Sequence, residues 1–160
     1  RAAGIGAVKR SFGRWLNAFL VMAAGVGILA LLGALFFLVW TGTWPKELLL
    51  HLPALLPAMA CACALTVFLY QAAPTAGSGV LLIFCVAVGM LFLAGGFVPS
   101  VFLPGAFHTI SNFLPARWMM QSAGAFLTGE IVFRDAAILL GFTGIFGILG
   151  AFFTRREAMG

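Results

Sequence analysis

Four long stretches of the chain carry almost no polar residue. The first, Leu16 to Val39, runs without a charge. At about 1.5 Å of rise per residue it makes ~36 Å of helix, enough to cross a hydrocarbon core ~30 Å thick with some tilt. Three more apolar runs follow, and the pattern predicts an all-α, polytopic membrane fold with spans at about 15–40, 48–70, 78–98 and 131–153. Trp15 marks one interface of the first span, and Trp40 and Trp44 the other, because amphipathic rings settle at headgroup level.

The breaks between spans are short. Residues 41–47, TGTWPKE, read as a turn in which Pro45 stops the helix and Lys46 and Glu47 are solvated. Pro53 and Pro57 fall early in the second span, where each removes a backbone donor and should kink the helix or unwind a turn. His51 sits at the entrance of that span, where a snorkelling or capping role competes with that of a proton carrier. Residues 71–77, QAAPTAG, read as an uncharged second turn, and the third span ends at Gly95-Gly96 before Pro99.

Residues 99–129 break the pattern. Pro99, Pro104 and Pro115 divide them into pieces too short to cross a bilayer and too apolar for an ordinary loop. In 105–114, Ala106, Phe107, Ile110, Phe113 and Leu114 recur at helical spacing, opposed by His108, Ser111 and Asn112. In 116–128, Met119, Met120, Ala123, Phe126 and Leu127 make a second such face. The reading is two short amphipathic helices forming an external re-entrant hairpin, its backbone satisfied by protein or by a watery cavity. In the last span, Glu130 and Arg134 stand at the favourable helical i, i+4 spacing, and Asp135 is expected near the headgroups. Gly141, Gly144, Gly147 and Gly150 recur every third residue, a row that either admits a close neighbour or reflects the frequency of glycine in membrane helices.

Composition agrees with a membrane class. Hydrophobic residues make up 63% of the chain and charged ones 8%, against about 25% charged in soluble domains. The net charge of +5 is unevenly placed. Arg1, Lys9, Arg10 and Arg14 cluster at one end, Arg155 and Arg156 at the other, the usual mark of cytoplasmic flanks. No aromatic-basic interleaving points to nucleic acid. Four crossings with basic ends place both termini in the cytoplasm and the 99–129 region outside. The chain begins at Arg1 with no signal peptide, which reads as a piece of a longer protein.

Candidate chemistry is sparse. Cys61, Cys63 and Cys85 are odd in number and lie in apolar runs, so they read as small packing residues. No Cys or His stands at metal-ligand spacing from another, and no paired acids, HExxH, GxSxG or Walker-type loop occurs. No catalytic residue, cofactor site or metal site is therefore assigned. Away from the charged and polar residues near their ends, the spans hold almost no polar groups, Asn17, Thr66, Thr143 and the cysteines being the ones present, which argues against an intramembrane enzyme and against charge-coupled transport by these helices.

Residues 92–130, FLAGGFVPSVFLPGAFHTISNFLPARWMMQSAGAFLTGE, resemble the carboxy-terminal region of ABC-2 type transporter permeases. Gly95, Gly96, Pro99, Pro104, Leu114, Pro115 and Gly129 stand where that family places its helix break and external hairpin. The resemblance covers nearly the whole chain as helices three to six of six; the first two helices and most of the coupling helix have no counterpart here. It implies an exporter subunit of the plasma membrane. A second permease half would pair with it as a homo- or heterodimer, and a separate ATP-binding cassette subunit would carry the ATP. The cluster Arg1, Lys9, Arg10 and Arg14 would lie near that subunit. Gly95, Gly96, Pro99, Pro104, Pro115 and Arg117 would form an external gate region, with Arg117 able to pair with Glu130 or meet lipid. A non-transporting scaffold or assembly protein is the alternative. With the native cysteines removed, single cysteines placed near residue 1 and near residue 160 should react alike with a membrane-impermeant thiol reagent; reaction at one end alone contradicts an even number of crossings.

Overall fold

The computed structural model describes residues 2–46, 50–97, 105–128 and 133–157, and among them every regular element is helical. Helix α1 spans Ala2–Thr41, α2 Leu56–Ala72, α3 Ala76–Leu93, α4 Gly105–Asn112, α5 Pro115–Thr128 and α6 Phe133–Glu157. A 3-10 turn, Leu52–Leu55, leads into α2. Four segments are long and apolar enough to cross a membrane: Lys9–Thr41, Leu52–Ala72, Ala76–Leu93 and Phe133–Phe153. That is the make-up of a multi-pass membrane protein.

The boundaries differ from the sequence reading where local chemistry decides them. The basic stretch before Trp15 contains no proline, and α1 continues through it. Pro53 and Pro57 stand at the first positions of the 3-10 turn and of α2, where a missing N–H breaks no ladder bond. They therefore start elements instead of kinking one. Gln71, expected in a turn, is a residue of α2. The turn is shorter than read, because Thr75 caps α3 in a reciprocal pair with Ser78: Ser78 N donates to Thr75 Oγ1 at 3.2 Å and Thr75 N to Ser78 Oγ at 3.1 Å.

Helix α3 stops at Leu93, earlier than expected, and the two glycines explain how. Gly96 N donates to Leu91 O at 2.8 Å and Gly95 N to Phe92 O at 3.2 Å, a Schellman closure that satisfies carbonyls the helix leaves open. Gly95 holds φ +85°, and a Cβ on Gly96 would lie 2.7 Å from Leu91 Cδ2 and 3.1 Å from Leu91 O. Helix α1 ends on a simpler left-handed cap, with Gly42 at φ +70° and its N–H on Leu38 O at 2.8 Å.

Helix α2 is the spine. It packs most extensively on α6, α1 lies against both, and α3 packs mainly on α2. Cys61 meets Thr143 and Phe68 approaches Gly150, the same offset along both helices, so α2 and α6 run parallel as second and fourth spans must. The buried core is made of Met59, Ala60, Cys61, Cys63 and Ala64 on α2, with Ala34 and Leu139 from its neighbours. Small side chains here let three backbones come close, which is how helices associate where lipid removes the hydrophobic drive. Cys63 Sγ sits 3.5 Å from Met22 Sδ, and all three cysteines are free. Phe68 stacks between Phe146 and Phe153, each ring 5.9 Å away.

The outer faces are apolar. Val39 is 86% exposed and Leu29 and Phe36 70% each, with Phe84 and Ile148 similarly bare. Such a surface needs lipid or partner helices to cover it. Because Gly96 is crowded by backbone and Gly89 faces open space, Gly96→Ala should lower the melting temperature in detergent by several degrees, whereas Gly89→Ala should leave it unchanged or raised; a scanning thermal assay compares them.

Candidate functional site

One candidate region lies where α3 ends and α6 begins. The two short helices α4 and α5 lie there. At 1.5 Å per residue they are roughly 12 Å and 21 Å long, too short to cross ~30 Å of hydrocarbon. The turn between them closes through Phe113 N on Ile110 O at 3.0 Å and Leu114 N on Ser111 O at 3.1 Å, and Pro115 then opens α5. Arg117 Nη1 donates to Ser111 Oγ at 3.0 Å, and Trp118 Nε1 donates to the Asn112 carbonyl at 3.1 Å. The Arg134 guanidinium lies 5.8 Å from the Trp118 ring centre, which ties α5 to α6. Helix α5 also rests on the 3-10 turn, and α4 on α3.

Of the expected gate residues, Gly95, Gly96, Pro115 and Arg117 belong to this end of the array. Pro99, Pro104 and the expected Arg117 partner Glu130 lie outside the described residues, as do Gly129 and the side chain of His108. Both serines of α4 and α5 face inward, whereas Thr109 is exposed. Ser111 and Ser122 are buried, while Ile110 is 50% and Phe113 77% exposed. Asp135 is buried in the first turn of α6, where the open amides of a helix start favour a carboxylate. His51 is half-buried; its carbonyl accepts from Ala54 N at 3.0 Å, and its side chain makes no capping bond.

The second candidate region is the opposite end. Lys9, Arg10 and Arg14 are exposed on α1, and Arg1 lies outside the described residues with the side chains of Arg155 and Arg156. Beside the cations are two buried polar residues that the sequence reading passed over, Ser11 and Gln71. Gln71 Oε1 lies 2.8 Å, and Ser11 Oγ 3.5 Å, from the point a Cβ of Gly150 would occupy, so three helices converge on that glycine. Of the glycine row, only Gly150 makes this close approach; Gly141, Gly144 and Gly147 have nothing within 4 Å of their Cβ positions. Next to this junction, α1 and α6 enclose a groove of about 440 Å³. Its α1 wall is an aromatic ladder in which Phe12 and Trp15 are 5.6 Å apart and Trp15 and Phe19 5.5 Å. Trp15 Nε1 donates to the Ala60 carbonyl at 3.2 Å, which holds the indole in place.

The middle of the array is apolar. Thr66 and Thr143 spend their hydroxyls on their own helices, at Ala62 O and Leu139 O, both 2.8 Å. Among the described residues no group of His, Cys, Asp or Glu could hold a metal ion. No known protein family, curated protein or solved structure matches the chain. Since Trp118 and Arg134 join α5 to α6, a double-mutant cycle of Trp118→Leu and Arg134→Gln should return a coupling of about 0.5–1 kcal/mol in detergent unfolding; additive effects would remove that tie.

Proposed function

We propose that the chain is the membrane-spanning part of an ABC-2 type permease, moving a substrate across or out of the plasma membrane with energy from a separate ATP-binding cassette subunit. One observation supports this reading above the rest. Two helices too short to cross a membrane, α4 and α5, stand between the third and fourth spans, beyond a Gly95-Gly96 helix stop. In the proposed arrangement both ends are cytoplasmic and the two helices form an external hairpin, dipping into the outer leaflet with Ile110 and Phe113 toward lipid. The lack of buried polar groups at mid-level suits an apolar or bulky cargo and leaves no route for a bare ion. A second permease half would cover part of the bare faces of α1 or α3, and the path would run between halves. The ATPase would dock at the end bearing Lys9, Arg10 and Arg14.

A non-transporting scaffold is the second reading, favoured by the placement of buried polar side chains. Ser11 and Gln71 lie at one end, Ser111, Ser122 and Asp135 at the other, with no polar passage between them among the described residues. The full-length protein, purified from its native membrane, should carry a nucleotide-binding ATPase with it, and inactivating that ATPase should abolish export. Export that continues without an ATPase, or a protein that brings none down, rejects the permease reading.

A further inference from the structure

The groove between α1 and α6 has the attributes of a ligand site, and they point to one kind of ligand. Its volume, about 440 Å³, falls within the roughly 300–1,000 Å³ of small-molecule sites. Phe12, Trp15 and Ile148 line it with apolar surface, and Gly144 and Gly147 leave its floor without side chains. The groove would take one slender hydrocarbon chain lying along α6.

One end of the groove is different. Ser11 lines it there, and behind Ser11 is Gln71, only 4% exposed, with neither its Nε2 nor its Oε1 hydrogen-bonded. Buried polar groups are nearly always paired, because an unpaired carboxamide loses its water without a replacement. Its Oε1 is directed at the bare backbone of Gly150, the same point that Ser11 Oγ approaches. This end of the groove therefore presents the Ser11 hydroxyl, with the unpaired Gln71 amide buried behind it.

Cations stand around the same end. At 100° of turn per residue, Ser11, Phe12 and Trp15 share one strip of α1, with Lys9 on one side of that strip and Arg14 on the other. Both are exposed. Arg10 is on the far side and reaches back, its Nη1 3.9 Å from where a Cβ of Gly6 would be. An apolar slot between spans, with a basic rim at the interface, is the setting in which anionic lipid headgroups are held.

We infer that this groove is a binding site for one anionic phospholipid, with an acyl chain along Gly144 and Gly147, the phosphate between Lys9 and Arg14, and the glycerol region against Ser11. The inference requires only that these helices lie in a membrane, and it stands apart from the exporter reading. The test uses the purified full-length protein in detergent, titrated with phosphatidylglycerol or phosphatidylcholine and read by native mass spectrometry. Wild type should retain phosphatidylglycerol about thirtyfold more tightly, the order expected when Lys9 and Arg14 contribute ~1 kcal/mol each. Gly147→Leu fills the floor where nothing stands within 4 Å, and it should abolish that preference. Gly141→Leu, on the same helix outside the groove, should keep it. Lys9→Gln with Arg14→Gln should bring the two lipids close to parity, and Arg10→Gln should not; this surface pair decides the matter if Gly147→Leu fails to fold. Equal retention of both lipids by wild type overturns the proposal, as does a preference that survives Gly147→Leu. Inorganic phosphate should not displace the bound phosphatidylglycerol, and displacement by it would mean a bare anion site and overturn the lipid assignment.

Discussion

Lipid offers no hydrogen bonds, so every peptide group inside it has to find its partner in the chain. The rest of the structure depends on that constraint. It explains why the described elements are helices and why proline appears at helix starts, where the first amides have no ladder partner to lose. It also explains the care taken at helix ends. Gly42 and Gly95 adopt left-handed backbone so that the next amides can turn back onto Leu38, Phe92 and Leu91. Thr75 and Ser78 do the equivalent at the start of α3 with side chains. The pair α4 and α5 meets the same demand with helical turns and with Trp118 on a freed carbonyl.

Packing is the second layer. Apolar burial gives little preference for protein over lipid, so closeness has to come from shape. The run from Met59 to Ala64 supplies it on α2 with small and sulfur-bearing side chains, and Gly150 supplies it on α6. Where the shapes are right, polar groups are carried inside with them. Ser11 and Gln71 are buried because three helices converge at Gly150, and Ser111 is buried because Arg117 reaches across from α5 to it.

Much of this was legible in the sequence because hydropathy and proline placement are local signals. The four spans, the short helices flanking Pro115 and the stop at Gly95-Gly96 all follow from residues within one or two turns of each other. The ends of helices were less legible. The sequence showed no reason to begin α1 before Trp15, since basic residues are compatible with either a loop or a helix. Gln71 looked like a turn residue because Ala72, Ala73 and Pro74 follow it, and only its neighbours from α1 and α6 reveal that it is enclosed. The burial of Asp135 was not legible for a related reason: it depends on what packs over the start of α6, and one chain segment does not encode that. The glycine row was legible as a pattern, but which of its four members touches a neighbour is a tertiary fact.

The continuity of α1 has a mechanical consequence. A helix of 40 residues is a rod ~60 Å long, about twice the thickness of a bilayer's oily centre. It holds no proline, and its contacts run from Ser11 through Met22 to the fully buried Ala34, two turns short of Thr41. A rod held along most of its length moves as one piece with what holds it. Tilting it by about 5° about Ser11 would carry Thr41, ~45 Å away, through roughly 4 Å and would take the packing at Ala34 with it.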